Sequence, residues 1–165
     1  MSASPHEVGL DLRATSDASR GEQFSLWALR TWWQAFPEVD AAWPELVRGF
    51  RACQVPLALE SCHRLCSVLL ASGGCGAALG CPCCPGITPG EEILLDVLRA
   101  AAGGEESRVL LRLRRFAPAA MARLAAPHAI RFARQLHAAG LSWPNVSPDS
   151  CHVMRLVPTN TDRLH

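Results

Sequence analysis

Residues that start and stop helices recur at short intervals along this chain and limit what it can fold into. The clearest start is "TPGEE", residues 88–92. Thr88 can cap a helix, Pro89 suits the first helical position, and Glu91 follows the cap by three residues, the spacing of a capping box. Two consecutive glycines at 103 and 104 then supply a stop. The pattern predicts a helix over residues 89–102.

The same signals predict the other helices. Ser19 and Glu22 have capping-box spacing and predict a helix that ends near residue 37. A helix is predicted to follow the glycine pair at 103–104. Proline at the first helical position, where its missing N–H costs nothing, predicts the remaining starts. These prolines are Pro44, Pro56, Pro118 and Pro127.

No stretch combines alternating polarity with β-branched residues, so no strand is predicted. We therefore predict an all-α fold, a compact bundle of about six or seven short-to-medium helices with a Cys/Gly/Pro-rich connector loop and irregular termini. The 165 residues fit one domain. We assign residues 1–18 to a mobile N-terminal arm, 19–141 to a single helical domain, and 142–165 to an irregular tail that packs through Trp143.

Charge and composition narrow the functional classes. All sixteen basic residues are arginine, and the formal net charge is +1, so no overall field attracts nucleic acid or anionic lipid. We find no secretory signal and no unbroken apolar helix of about 20 residues, and expect a cytoplasmic protein without membrane partners. A phosphate-binding glycine loop, a nucleophile elbow and a helical H-E-x-x-H motif are all missing, so a non-enzymatic role is expected.

Four cysteines fall within ten residues of an uncharged, Gly- and Pro-rich connector between two predicted helices. The connector is longer than bundle turns usually are, which indicates that something holds it in place. Tetrahedral zinc takes Cys and His ligands that lie close together. We therefore predict a structural zinc site, with candidate ligands Cys75, Cys81, Cys83, Cys84 and His63.

Three alternatives for this connector stay open. An iron–sulfur cluster would use the same thiols and is less expected than zinc. A metal-free thiol switch would instead form a short-range disulfide among Cys81, Cys83 and Cys84. The connector could also be inert. Cys62 and Cys66 differ from these thiols, because they lie on an apolar helical stripe and are expected in the core.

Two surfaces are candidates for contact with a partner. Tryptophan anchors interfaces well, and Trp32 and Trp33 point about 100° apart on one helix, so burial of one leaves the other available. Arg108, Arg112 and Arg115 share a second helical face. That face suits an acidic protein or phosphates, although base-reading residues are missing from it and nucleic acid is not the expected partner.

The leading hypothesis is thus a cytoplasmic accessory or interaction protein, without enzymatic activity, whose cysteine loop binds a structural metal and which contacts a protein partner or a second copy of itself. A metal-free redox-responsive regulator is the alternative. A nucleic-acid-binding module that uses the arginine face is the third hypothesis.

Overall fold

The computed structural model describes residues 12–36, 38–73 and 79–146. Within these ranges the chain forms six α-helices and no strand, which confirms the predicted all-α bundle. A short 3₁₀ turn, Thr15–Asp17, precedes the first helix. The helices are α1 (Arg20–Gln34), α2 (Val39–Ala52), α3 (Ala58–Ala71), α4 (Pro89–Ala102), α5 (Glu106–Leu113) and α6 (Ala119–Ala138).

Both predicted capping boxes are present. At the start of α1, the Ser19 N–H donates to the Glu22 carboxylate at 2.8 Å, and the Glu22 N–H donates to the Ser19 hydroxyl. Thr88 and Glu91 make the equivalent pair of bonds, 2.8 and 3.1 Å long, at the start of α4. These bonds satisfy backbone N–H groups that have no partner inside the helix, which is why both starts fall where the sequence predicts them.

Two prolines that were predicted to open helices lie inside them. Pro127 was expected to start a separate helix, but α6 runs through it for 20 residues. Pro44 lies within α2, which begins five residues earlier. The prediction was wrong because proline costs a helix one hydrogen bond, whereas the buried side chains of Ala129 and Phe132 on α6 and Phe50 on α2 hold the flanking turns against the core.

The core lies between α3 and α6, with α1, α2, α4 and α5 packed around this pair. Phe50 of α2 packs against Phe24 of α1, edge to face, and against Phe132 of α6, with ring centroids 4.9 and 6.2 Å apart, and so joins three helices. Cys62 and Cys66 of α3 are fully buried in the same core, as predicted. In the described part of the chain, no helix is both long and apolar enough to cross a membrane.

The segments that flank the helices pack against them. In the predicted N-terminal arm, the Thr15 N–H donates to the Pro85 carbonyl at 2.7 Å, and Arg13 accepts from the Ile87 N–H at 2.9 Å. In the predicted tail, Trp143 is buried and packs beside Gly21, which agrees with the expectation that the tail packs through this residue. Residues 12–18 and 142–146 therefore belong to the folded unit; residues 1–11 and 147–165 lie outside the described ranges.

The cysteine loop as candidate functional site

Three sulfur atoms meet in the turn that precedes α4. Cys81 and Cys84 form a disulfide, with Cα atoms 5.3 Å apart, and the Cys84 N–H donates to the Cys81 carbonyl at 3.0 Å. Cys83 is exposed, carries an unbonded thiol, and places its Sγ 3.0 Å from the Sγ of Cys81. The turn thus brings one disulfide and one thiol within reach of each other at the protein surface.

A buried ion pair fixes this turn to the bundle. Arg30 of α1 is 2% exposed and Glu91 of α4 is fully buried. The Arg30 guanidinium donates to both carboxylate oxygens of Glu91, at 2.6 and 2.7 Å, in the parallel geometry that makes arginine–carboxylate pairs strong. The pair therefore joins α1 to α4 directly beneath the cysteine turn.

The same two side chains also bind the backbone on both sides of the disulfide. Arg30 donates to the carbonyls of Cys84 and Gly86, at 2.8 and 2.7 Å. The Gly80 N–H donates to the Glu91 carboxylate at 2.9 Å. Charge-assisted bonds of this kind are roughly twice as strong as neutral ones. The ion pair therefore binds the connector to the bundle at Gly80, Cys84 and Gly86.

The environment of Glu91 keeps its carboxylate charged. Burial by itself would raise the pKa of Glu91, but the hydrogen bonds from Arg30, Thr88 and Gly80 outweigh it and lower the pKa below the ordinary value of 4.5. Arg30 therefore faces an anion at neutral pH, and the buried charge of each partner is compensated by the other.

The structure unites three of the five predicted metal ligands. Cys81, Cys83 and Cys84 lie together in one turn, whereas Cys75 lies outside the described residues. His63 is elsewhere: it accepts a hydrogen bond from the indole of Trp32 and does not join the thiols. Where the chain is described, no group of three or more His, Cys, Asp or Glu side chains is arranged to hold a metal ion.

Two signals in the sequence were not used in our prediction. The connector contains a C-x-x-C step from Cys81 to Cys84, the two residues that form the disulfide. Arg30 was also overlooked. A lone charge between Leu29 and Trp32, on a helix whose apolar residues cover most of its surface, indicates a buried ion pair.

The tryptophan pair is divided between core and surface. Trp32 is the buried member: it is 2% exposed, and its indole N–H donates to His63 at 3.0 Å. Trp33 is half-buried and packs partly against the core. Trp43 and Phe36 are the more exposed aromatic side chains in the described ranges.

The arginine face is partly neutralised. Arg108 and Arg112 both reach the carboxylate of Asp96 on α4, at 2.6 and 2.5 Å, and Arg108 also pairs with Glu105. Arg115 is exposed and makes no ion pair with any described residue. Two of the three charges therefore tie α5 to α4, which leaves less positive charge for an acidic partner or for phosphates than the sequence indicated.

Comparison with known proteins adds no relative to this description: no family model, no curated protein and no solved structure matches the chain.

Proposed function

We propose that the protein is a redox-responsive helical protein in which Cys81 and Cys84 form a reversible dithiol/disulfide pair. The observation that carries the proposal is the placement of three sulfur atoms in one exposed turn, with two of them bonded and the third 3.0 Å away. Reactive thiols are partly exposed, whereas structural cysteines are buried, as Cys62 and Cys66 are. In the cytoplasmic setting that we propose, such disulfides are transient and regulatory.

Oxidation of the pair balances with a low-molecular-weight disulfide such as oxidised glutathione. The Cys81 thiolate attacks one sulfur of the oxidant, a mixed disulfide forms, and one glutathione thiolate leaves. The Cys84 thiolate then attacks the Cys81 sulfur of the mixed disulfide and expels the second glutathione. Two protein thiols and one oxidised glutathione thus become one protein disulfide and two reduced glutathiones.

Cys83 extends this chemistry to an exchange without net oxidation. Its thiolate can attack Cys81, so that the Cys81–Cys84 bond breaks, a Cys81–Cys83 bond forms, and Cys84 leaves as a thiolate that takes up a proton. In this scheme Cys81 is the common partner in both disulfides. Before the exchange the free thiol is that of Cys83, and after it the free thiol is that of Cys84. Cys83 is more exposed than Cys84, so the two disulfide states present different surfaces.

The exchange scheme predicts an asymmetric set of variants. In a chain in which Cys75 and Cys151 are replaced by alanine, C81A should abolish the oxidisable pair. C83A and C84A should each keep one pair, because Cys81 still has a partner. Each variant is equilibrated in buffers with different ratios of reduced to oxidised glutathione, and its disulfides are counted by alkylation and mass spectrometry. C53A, which lies outside the turn, is the control. Equal loss in C81A, C83A and C84A would contradict the shared role of Cys81.

Structural zinc is the second candidate function, favoured by the same three sulfurs, which are soft ligands placed within one turn once reduced. Native mass spectrometry of the reduced, unmodified full-length chain separates the two proposals. If one zinc ion per chain protects Cys81, Cys83 and Cys84 from alkylation, the redox proposal fails. A metal-free chain whose disulfide forms and reopens with the glutathione poise supports it.

A further inference from the structure

An open cavity of about 770 Å³ is lined by residues of α2, α3 and α6 and by Pro56, which precedes α3. Its volume falls in the range that holds small molecules, roughly 300–1,000 Å³. The lining combines apolar side chains, Pro56, Leu59 and Val68, with polar groups of α3 and α6. Neither the cysteine loop nor its ion pair contributes to it.

One ring nitrogen of His63 already accepts a hydrogen bond from within the protein, so only the other nitrogen is available to a ligand. The buried indole of Trp32 donates to His63 Nδ1 at 3.0 Å, so Nδ1 acts as an acceptor and the ring proton is on Nε2. A histidine oriented by such a partner presents its other nitrogen in a defined state. His63 lines the cavity and therefore offers Nε2–H as a donor.

Trp43 supplies an aromatic wall. It is 36% exposed, and its ring stands edge-on to His63 with centroids 5.4 Å apart. Trp32 in turn packs against His63 at 5.8 Å, so the three rings form a continuous column from the core to the cavity. A large aromatic surface that is held in place and left partly open favours an apolar, preferably aromatic, ligand.

The charges around the cavity favour an anion. Arg64 and Glu60 of α3 form an exposed pair, which is held weakly and can rearrange. On α6, burial lowers the pKa of His128, and the positive charges of Arg64 and Arg131 lower it further, while Glu60 opposes them. The position of His128 thus lies in a positive potential that an anionic ligand would relieve.

We propose that this cavity binds a small aromatic carboxylate, with the ring of the ligand against Trp43 and its carboxylate hydrogen-bonded to His63 Nε2–H and His128. The polar groups lie together with an open aromatic wall, which is the arrangement that fixes the orientation of a ligand in an otherwise apolar site. The proposal is independent of the redox chemistry of the cysteine loop.

The probe is 1-naphthoate, with its neutral amide and inorganic phosphate for comparison. We expect isothermal titration calorimetry to detect naphthoate binding that is at least tenfold tighter than binding of the amide. The indole N–H of Trp43 and the ring signals of His63 and His128 should shift in NMR spectra. Equal affinity for naphthoate and its amide, or binding of phosphate alone, would overturn the proposal.

Variants then locate the site. W43A and H128Q should each weaken naphthoate binding about tenfold, a change of about 1.4 kcal/mol. H137Q is the matched control, because His137 lies on the same helix but lines a separate pocket beside Trp143. The thermal stability of each variant is measured in parallel. Unchanged affinity in W43A and H128Q, or an equal loss in H137Q, would show that naphthoate binds elsewhere.

The pH dependence provides a further check. A bound anion raises the pKa of His128, which in the free protein lies below its ordinary value of 6.5. Affinity should therefore rise as the pH falls through this range, and H128Q should remove most of that slope. The charged or titratable groups that face His128 are Glu60, His63 and Arg64 of α3 and Arg131 of α6. A slope that persists in H128Q contradicts the assignment of the carboxylate to this histidine.

Discussion

The guanidinium of Arg30 and the carboxylate of Glu91 face each other in parallel, with two hydrogen bonds of 2.6 and 2.7 Å, although 61 residues separate them in the chain. Arg30 also donates to the carbonyls of Cys84 and Gly86, and Glu91 also accepts from the Gly80 N–H. This one pair of side chains therefore joins α1 to α4 and also binds the cysteine turn.

Removal of one partner should be costly. R30M leaves the Glu91 carboxylate buried without its cation, and we expect the free energy of unfolding to fall by about 3–5 kcal/mol. The double variant R30M/E91M should lose less than the sum of the two single changes, because it leaves no unpaired charge. Urea unfolding followed by circular dichroism measures all three. R64M, which removes an exposed arginine, should cost less than about 1 kcal/mol.

Acid should weaken the fold through the same carboxylate. The pKa of Glu91 is lower in the folded chain than in the unfolded one, so its contribution is complete above the ordinary value of 4.5 and is lost as the pH falls through the folded value. Glu22 acts in the same direction. Burial would raise its pKa, but hydrogen bonds from Ser19, Arg99 and Arg13 outweigh burial and lower the pKa. Unfolding free energies measured from pH 7 downward should decline below about 4.5. E91Q should flatten part of that decline; an identical profile in E91Q and the parent chain would contradict this account.

The close packing of α1 on α2 depends on the absence of a side chain at Gly49. A Cβ at this position would clash with the ring of Trp27. G49A should therefore destabilise the protein by about 1–3 kcal/mol, despite the better helix propensity of alanine. Thermal unfolding checks it, with G103A as the control. Gly103 has a φ of −77° and room for a Cβ, so that change should be neutral or slightly stabilising.

Replacement of the proline inside α6 should stabilise the protein. Pro127 is exposed, and an alanine there restores the N–H that can donate to the carbonyl of Arg123, one turn earlier. We expect P127A to raise the free energy of unfolding by about 1–3 kcal/mol. P118A is the comparison, because Pro118 lies at the N-cap of α6 and its missing N–H removes no helical bond. A gain of similar size in both variants would show that the effect does not arise from the helical hydrogen bond.

Features that depend on residues close together in the sequence could be predicted. Features that depend on contacts between residues far apart in the sequence could not. Helix α4 was predicted with its observed bounds, because Thr88, Glu91 and Gly103 signal its ends within a few residues. Pro127 misled the prediction for α6, since packing against α3 outweighs a local preference. The Arg30–Glu91 pair had no local signal of its partner, so the anchor of the loop was not predicted. The metal, redox and partner hypotheses remain predictions.

The bonds that locate the cysteine turn also determine when it can form. Arg30 reaches Cys84 and Gly86 across 54 and 56 residues, and Thr15 reaches Pro85 across 70. Contacts between such distant residues require closure of a long loop, so they arise after the local helices. During folding, therefore, the cysteine turn reaches its native surroundings only when α1 docks on α4.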